Sequence, residues 1–357
     1  MKIKLTEKYR PFSHEAGTPL LLPKSSWKVT PYPAKLLLED LISKEKFEII
    51  PMIEGPISTF TVMQDLEKGW VRIFGKGGKG FFSYRLVIIA HQIFLFVERC
   101  ESEGLTFKHK GEIKTVKRKE ELMIIVATHP FHQDPKEKVH FGSSKKQDWT
   151  LVKRRLHLEE ILPIWFQLGK HLPKYPLLDI GTARLLKQCQ TLIEEKNREK
   201  IGTSFIELFK TAFEGILCPR LIDTDCQGIA LQDEISEDLS PLLLLSEGAR
   251  LIRKLLIDQT QNHLSILPCL PKELHAGRFV AIDCGKNLTL DFEWSKKLIR
   301  RLALHPKEDQ TLYLSFQKSI TSFRLRLGRR GRGKEIPIGE PLHLKKDRLY
   351  ILDHFQK

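Results

Sequence analysis

The chain has 357 residues, with 59 Lys plus Arg against 44 Asp plus Glu and a formal charge of +15. An apolar fraction of 41% beside 29% charged residues is that of a globular chain, which excludes wholesale disorder, and the length allows two or three domains. No stretch approaches the ~20 apolar residues of a membrane span, and the opening MKIKLTEKYRPF lacks the apolar core and cleavage site of a secretory signal.

Six cysteines (Cys100, Cys189, Cys218, Cys226, Cys269 and Cys284) form no CxxC pair. Reduced thiols in the cytoplasm are therefore expected, with no disulfide framework, metal site or cofactor. The positive charge permits contact with nucleic acid, anionic lipid or acidic glycans and selects none of them.

Residues 1–142 read as β. Pro11, Pro19, Pro23, Pro31, Pro33, Pro51 and Pro56 exclude a long helix before residue 57. Candidate strands are 46–52, 57–63, 70–74, 81–89, 93–98, 105–109 and 122–127, short and rich in β-branched or aromatic residues. Their spacing predicts a sandwich of antiparallel hairpins. Gly75-Lys76-Gly77-Gly78-Lys79-Gly80 matches GxGxxG, but a strand-like Phe81-Phe82-Ser83-Tyr84 follows where a dinucleotide site needs a helix. It reads as a hairpin turn. Lys108, Lys110, Lys114, Lys117, Arg118 and Lys119 form a basic run with only Phe107 nearby for stacking. His129 and His132, beside Asp134, decorate the loop that ends this domain.

Residues 143–262 read as helical. Periodic apolar residues predict a helix over 148–171, kinked or split at Pro163, and a second over 182–196. A third is expected to open on a capping box, Ser204 with Glu207, and a fourth on Ser240-Pro241. Four helices with short turns suggest two antiparallel hairpins. Between the third and fourth lies an acidic loop carrying Asp223, Asp225, Asp233, Glu234, Glu237 and Asp238.

Strand signals return over 263–357, at 278–283, 287–294, 298–304, 311–316, 322–327 and 348–353. Arg324, Arg326, Arg329, Arg330, Arg332 and Lys334 surround Gly328, Gly331 and Gly333 as a basic hairpin tip. The expected fold is α+β: an N-terminal antiparallel β-sandwich, a short α-helical domain built of hairpins, and a C-terminal β domain.

Ile266-Leu267-Pro268-Cys269-Leu270-Pro271, then Gly277, then Asp291-Phe292-Glu293-Trp294 resemble the C-terminal part of glycoside hydrolase family 95. The order of domains is similar to that family and its six-hairpin relatives, and the whole chain resembles a family of chlamydia-type bacteria. The glycosidase resemblance implies a ring of about twelve helices, which at about 11–12 residues each does not fit between Gly142 and Asn262. It also implies an acid shortly before the last helix, where this sequence has Leu243, with only Glu247 close by.

An inverting glycosidase needs two carboxyls, one to donate a proton and one to activate water. Glu214, Asp223 and Asp225 are the catalytic candidates. Asp223 and Asp225, two apart in an extended loop, are expected to point the same way. Gln227, Trp165 and Trp294 are the substrate-binding candidates, and Trp70 and Trp149 are further possible platforms for stacking. The resulting expectation is a truncated relative of the family, carbohydrate-related, with hydrolysis of an α-fucoside type reduced or lost. The alternative is a basic interaction protein that meets nucleic acid or another anionic partner through Lys108 to Lys119 and Arg324 to Lys334.

Overall fold

The computed structural model describes residues 3–101, 104–125, 135–227, 239–285, 287–328 and 331–357. His129, His132, Asp134, Asp233, Glu234, Glu237, Asp238, Arg329 and Arg330 lie outside them. The described chain is α+β with a β-rich character, and its buried apolar residues form one continuous cluster from Tyr9 to Leu352.

The first strands are β1 (Phe12–Ser13), β2 (Leu20–Leu21), β3 (Trp27–Tyr32), β4 (Lys35–Asp40), β5 (Lys46–Pro51) and β6 (Ser58–Asp65). They continue as β7 (Trp70–Gly77), β8 (Gly80–Ile89), β9 (Gln92–Arg99), β10 (Gly104–His109), β11 (Glu112–Lys117) and β12 (Glu121–Ile125). Two six-stranded sheets result, in the orders β1-β6-β7-β8-β9-β12 and β11-β10-β5-β4-β3-β2. Tyr84 of one meets Phe107 of the other edge to face at 5.4 Å. Gly77 and Gly80 pair across the β7–β8 turn, so the GxGxxG match is a hairpin turn.

Sequence patterning missed β3 and β4, because Pro31 and Pro33 read there as breakers. The Pro31 carbonyl accepts from Gly17 N–H, on the side away from β4. Its ring nitrogen faces the same way, so the strand loses no bond to β4.

β13 (Lys138–His140) pairs with a strand far along the chain, and five helices lie between them among the described residues. They are α1 (Trp149–Arg155), α2 (Leu158–Gly169), α3 (Ala183–Glu194), α4 (Ile201–Ala212) and α5 (Leu242–Leu256). The predicted first helix is split at Leu156, not at Pro163. Leu156 adopts a left-handed conformation (φ 55°) and returns its N–H to Val152 O. Arg155 then clamps Glu160 across the break with two bonds of 2.7 and 2.6 Å. Pro163 sits inside α2 and removes one bond of its ladder. The Ser204 capping box does not form either, because the helix starts at Ile201 and Ser204 lies within it, its hydroxyl accepting from the Cys189 thiol at 3.5 Å.

Between α4 and α5 lies the short hairpin β14 (Phe213–Glu214) and β15 (Cys218–Pro219). After α5 come β16 (Ile257–Thr260), β17 (His263–Ile266), β18 (Gly277–Asp283), β19 (Leu288–Ser295) and β20 (Leu298–Pro306). β21 (Gln310–Ser315), β22 (Ser322–Leu327), β23 (Lys334–Pro337), β24 (Leu342–Leu344) and β25 (Tyr350–Gln356) complete the set. They form a seven-stranded sheet, β13-β18-β19-β20-β25-β22-β23, and a four-stranded one, β16-β17-β21-β24. The larger sheet packs on α2 through Phe166 and Phe279, whose rings stand 5.6 Å apart.

α5 is deeply enclosed in its first half, where Leu242, Leu243, Leu244 and Leu245 are all buried, while Lys254 near its end is exposed. It lies so close to α2 that a Cβ on Gly248 would stand 2.5 Å from the Trp165 ring. Alanine would gain about 1 kcal/mol in helix propensity, but overpacking a rigid core costs about 1–3 kcal/mol. Gly248→Ala is therefore expected to lower stability by up to about 2 kcal/mol, read from the midpoint of urea denaturation.

The cysteines give a second test. Cys226 is exposed, whereas burial pushes the thiols of Cys189, Cys218 and Cys284 up to about 12. A thiol reagent at neutral pH should modify Cys226 first and those three at least about a hundredfold more slowly. Mass spectrometry should count six modified thiols only after denaturation.

Candidate functional site

The hairpin that carries Glu214 is held at both ends. Phe213 packs against Trp165 at 4.5 Å between ring centres, and Ile216 donates its N–H to Pro19 O at 2.8 Å. Gly215 has φ +46°, and a Cβ there would fall 2.0 Å from the Pro19 carbonyl, so only glycine fits. Glu214 is thereby aimed at the outer face of the sheet that contains β3, β4 and β5.

There it accepts from Lys28 Nζ at 2.7 Å. The same ammonium stands 3.9 Å from Glu39, which also faces Lys46 at 3.4 Å. Lys28, Glu39 and Lys46 are neighbours because β3, β4 and β5 pair Lys28 with Glu39 and Glu39 with Lys46. Burial opposes the Lys28 charge, but Cys218, Glu214 and Glu39 around it raise its pKa above the ordinary lysine value.

Around these groups opens a cleft of about 640 Å³, completed by Leu41, Lys44, Arg220, Ile222, Thr224, Leu239 and other residues. Its described lining contains four cations, two carboxylates and no aromatic side chain. Arg220 is fixed rigidly, donating to Thr211 O at 3.0 Å, to Thr224 Oγ1 and to Asp225 Oδ2 at 2.6 Å.

The catalytic candidates are separated. Glu214 lines the cleft, and Asp225 supports it from outside through Arg220, whose hydrogen bond holds Asp225 below the usual carboxylate range. Asp223 turns inward and is buried, while the Asp225 side chain is 60% exposed. The two diverge because the segment is a turn, closed by Thr224 N–H to Ile222 O and Cys226 N–H to Asp223 O, and the alternation of an extended strand does not apply. Gln227 is exposed beyond the turn, donating to Asp225 O at 3.4 Å.

The tryptophans are interior. Trp165 is fully buried, with its indole N–H donated to Leu244 O at 3.2 Å, and it presents no ring face to the cleft. Trp294 is 2% exposed and donates to Leu274 O; it borders a separate hollow of about 440 Å³ with His140, Arg278 and Glu293. Trp70 and Trp149 are buried as well. Leu243, where the glycosidase likeness implies an acid, is buried, and Glu247 is engaged by Arg250 and by Tyr175 N–H at 2.9 Å.

Lys28, Glu39, Lys44 and Lys46 were not anticipated. For Lys28 and Glu39 the only signal was a polar neighbour beside Val29 and Leu38, in a segment that prolines had marked as irregular, whereas Lys46 opened the predicted strand 46–52.

The two basic segments differ. Lys108, Lys110, Lys114, Lys117, Arg118 and Lys119 are exposed on β10, β11 and the turns beside them, with Lys114 paired to Glu112 at 2.7 Å. Arg324 and Arg326 both bind Asp353, and Arg332 and Lys334 are exposed. Among the described residues no helix is long and apolar enough to cross a membrane. Compared with known proteins, the chain matches no family model and no curated sequence.

Proposed function

We propose that the chain is a carbohydrate-related binding protein, derived from a family-95-like glycosidase, in which hydrolysis is lost. Its ligand site is the cleft of Glu214, Glu39, Lys28 and Arg220. The observation that carries this reading is the bridging of Glu214 and Glu39 by Lys28, at 2.7 and 3.9 Å. A glycosidase acid is a carboxyl held neutral away from cations, and both carboxylates here face the same ammonium. The cleft instead offers fixed donors and acceptors suited to a hydroxyl-rich ligand, and its excess of cations favours an acidic sugar. Asp225 stands outside the cleft and acts on it only through Arg220, and Gln227 is not part of its described lining.

The division into 1–142, 143–262 and 263–357 belongs to this reading. Strand pairing supports it in part: β1 to β12 build the first two sheets and β17 to β25 most of the last two, while β16, inside 143–262, pairs with β17. Among the described residues β13 crosses between these groups.

Aryl glycosides, including an aryl α-fucoside, are expected to show no turnover. Turnover that disappears on Glu214→Gln or Asp223→Asn would establish a surviving hydrolase and end this reading. Binding of an acidic oligosaccharide, followed by calorimetry, should weaken about tenfold or more on Lys28→Met, which leaves Glu214 and Glu39 without their shared cation.

A second reading is favoured by the exposure of the Lys108 to Lys119 segment: it contacts an anionic partner, with Arg332 and Lys334 as a weaker second contact. Affinity for an anionic oligonucleotide should then fall roughly tenfold between about 50 and about 200 mM salt, the response of some two neutralised charges. A neutral sugar bound in the cleft should barely respond.

A further inference from the structure

The cleft that Glu214 lines has two unlike walls. One is the outer face of β3, β4 and β5 with the turn after β4, which carries Lys28, Glu39, Lys44, Lys46 and the buried Leu41. The other runs from Pro219 to Thr224 and continues with Leu239 and Pro241 before α5. Apart from Arg220 and Thr224 this second wall is apolar, and Glu214 beside it is bonded across to Lys28. Charge is gathered on the β layer and apolar surface on the helical layer.

Ile222 is the most open apolar group of the second wall, 55% exposed. The backbone around it is pinned. Arg220 N–H donates to Ala212 O at 2.8 Å, Thr182 N–H to Leu221 O at 3.0 Å and Thr224 N–H to Ile222 O at 3.0 Å. The Thr182 hydroxyl donates to Arg220 O at 2.8 Å. A β-branched side chain on a fixed backbone has few rotamers, so Ile222 is held at the cleft and does not fold inward.

The charges leave an excess of one. Arg220 is matched from outside the cleft by Asp225 at 2.6 Å. Three lysines then face two carboxylates, Glu39 and Glu214. Both carboxylates share Lys28, and Lys46 stands 3.4 Å from Glu39. Lys44 is exposed and donates to the neutral Leu41 carbonyl at 3.2 Å, which makes it the cation placed to meet a ligand's charge.

We infer that the ligand is a sugar bearing one carboxylate and one apolar substituent, the carboxylate on Lys44 and the substituent against Ile222 and Leu239. The inference rests on the carbohydrate reading and narrows its ligand class. A polysulfated glycan would bring more negative charge than one excess cation can meet, and a neutral sugar would leave that cation unmatched. An acidic sugar without a substituent would leave Ile222 in water, whereas covering such a side chain strengthens binding. At about 640 Å³ the cleft has the size of a small-molecule site, and no long chain is needed to fill it.

The test is calorimetry of the full chain with p-nitrophenyl β-D-glucuronide, methyl β-D-glucuronide and p-nitrophenyl β-D-glucoside. The first is expected to bind most tightly. Each of the others should be weaker by about tenfold or more, for want of an apolar contact or of a charge-assisted bond. Ile222→Ser should abolish the preference over the methyl glucuronide and keep the preference over the glucoside. Lys44→Met should do the reverse. Both side chains are exposed, and circular dichroism checks that both variants fold. If the parent binds none of the three, the carbohydrate reading and this inference fall together. If it binds sugar but p-nitrophenyl glucuronide is not the tightest, or if either substitution keeps the preference it should remove, this inference alone is overturned.

Discussion

The close approach of α2 to α5 is the constraint on which the rest of the fold depends. Two glycines permit it. A Cβ on Gly169 would fall 2.0 Å from the Leu245 carbonyl, and one on Gly248 would enter the Trp165 ring. With both absent, Trp165 slides over α5 and donates its indole N–H to Leu244 O. The buried leucines of α5 then have partners on every side, with α2 and α3 packed along it and β15 and β16 at its flanks. Large contact area at short range between rigid elements is what fixes such a core, because its packing tolerates little change in volume.

The candidate cleft is a consequence of the same packing. Trp165, seated by Gly248, offers its other side to Phe205 and to Phe213. Phe213 is the residue before Glu214, so the helix pair sets where Glu214 emerges. From the opposite side, β3, β4 and β5 present Lys28, Glu39 and Lys46 at alternate positions of paired strands. Lys28 joins the two halves. Its pairing with Glu214 is partly buried and links residues 186 apart in sequence, so the cleft exists only when the β layer and the helical layer are both folded.

Much of the fold was legible in the sequence. Short apolar-rich strands between turn residues, such as β8 over Gly80–Ile89 and β22 over Ser322–Leu327, were read within a residue. α3 and α5 were located by their apolar period, and Ser240 Oγ accepts from Leu242 N–H at the start of α5, near its expected cap. The misses share one cause: local rules were overridden by tertiary partners. Pro31 stands in a strand because its nitrogen faces away from β4, Ser204 is passed over as a cap because Ile201 is already buried, and α1 breaks at Leu156 where Arg155 can reach Glu160. The site was less legible than the fold. Glu214 could be picked out as a carboxylate at a helix end, but nothing local shows that it meets a lysine near the start of the chain. Asp223 and Asp225 were joined by an alternation rule that a turn cancels.

The stretch from Ile266 to Trp294, which carries the glycosidase likeness, has a structural explanation of its own. Leu267 and Cys269 donate their N–H groups to Leu256 O and Leu255 O, closing carbonyls that α5 leaves open at its C-terminal end. Pro268 and Pro271 suit a segment that must leave that helix without resuming it. Gly277 lies beneath Trp294, where a Cβ would stand 2.3 Å from the ring, and Trp294 donates back to Leu274 O. Every element of the likeness thus acts on packing: two prolines at a helix exit, one glycine under an indole, one strand ending in that indole. Residues of this kind persist for as long as the layers they join persist, whatever happens to the chemistry between them. At Leu243, where the likeness implies an acid, the side chain is buried, and a carboxylate there without a cation would destabilise the fold by several kcal/mol, roughly the cost of an unpaired buried charge.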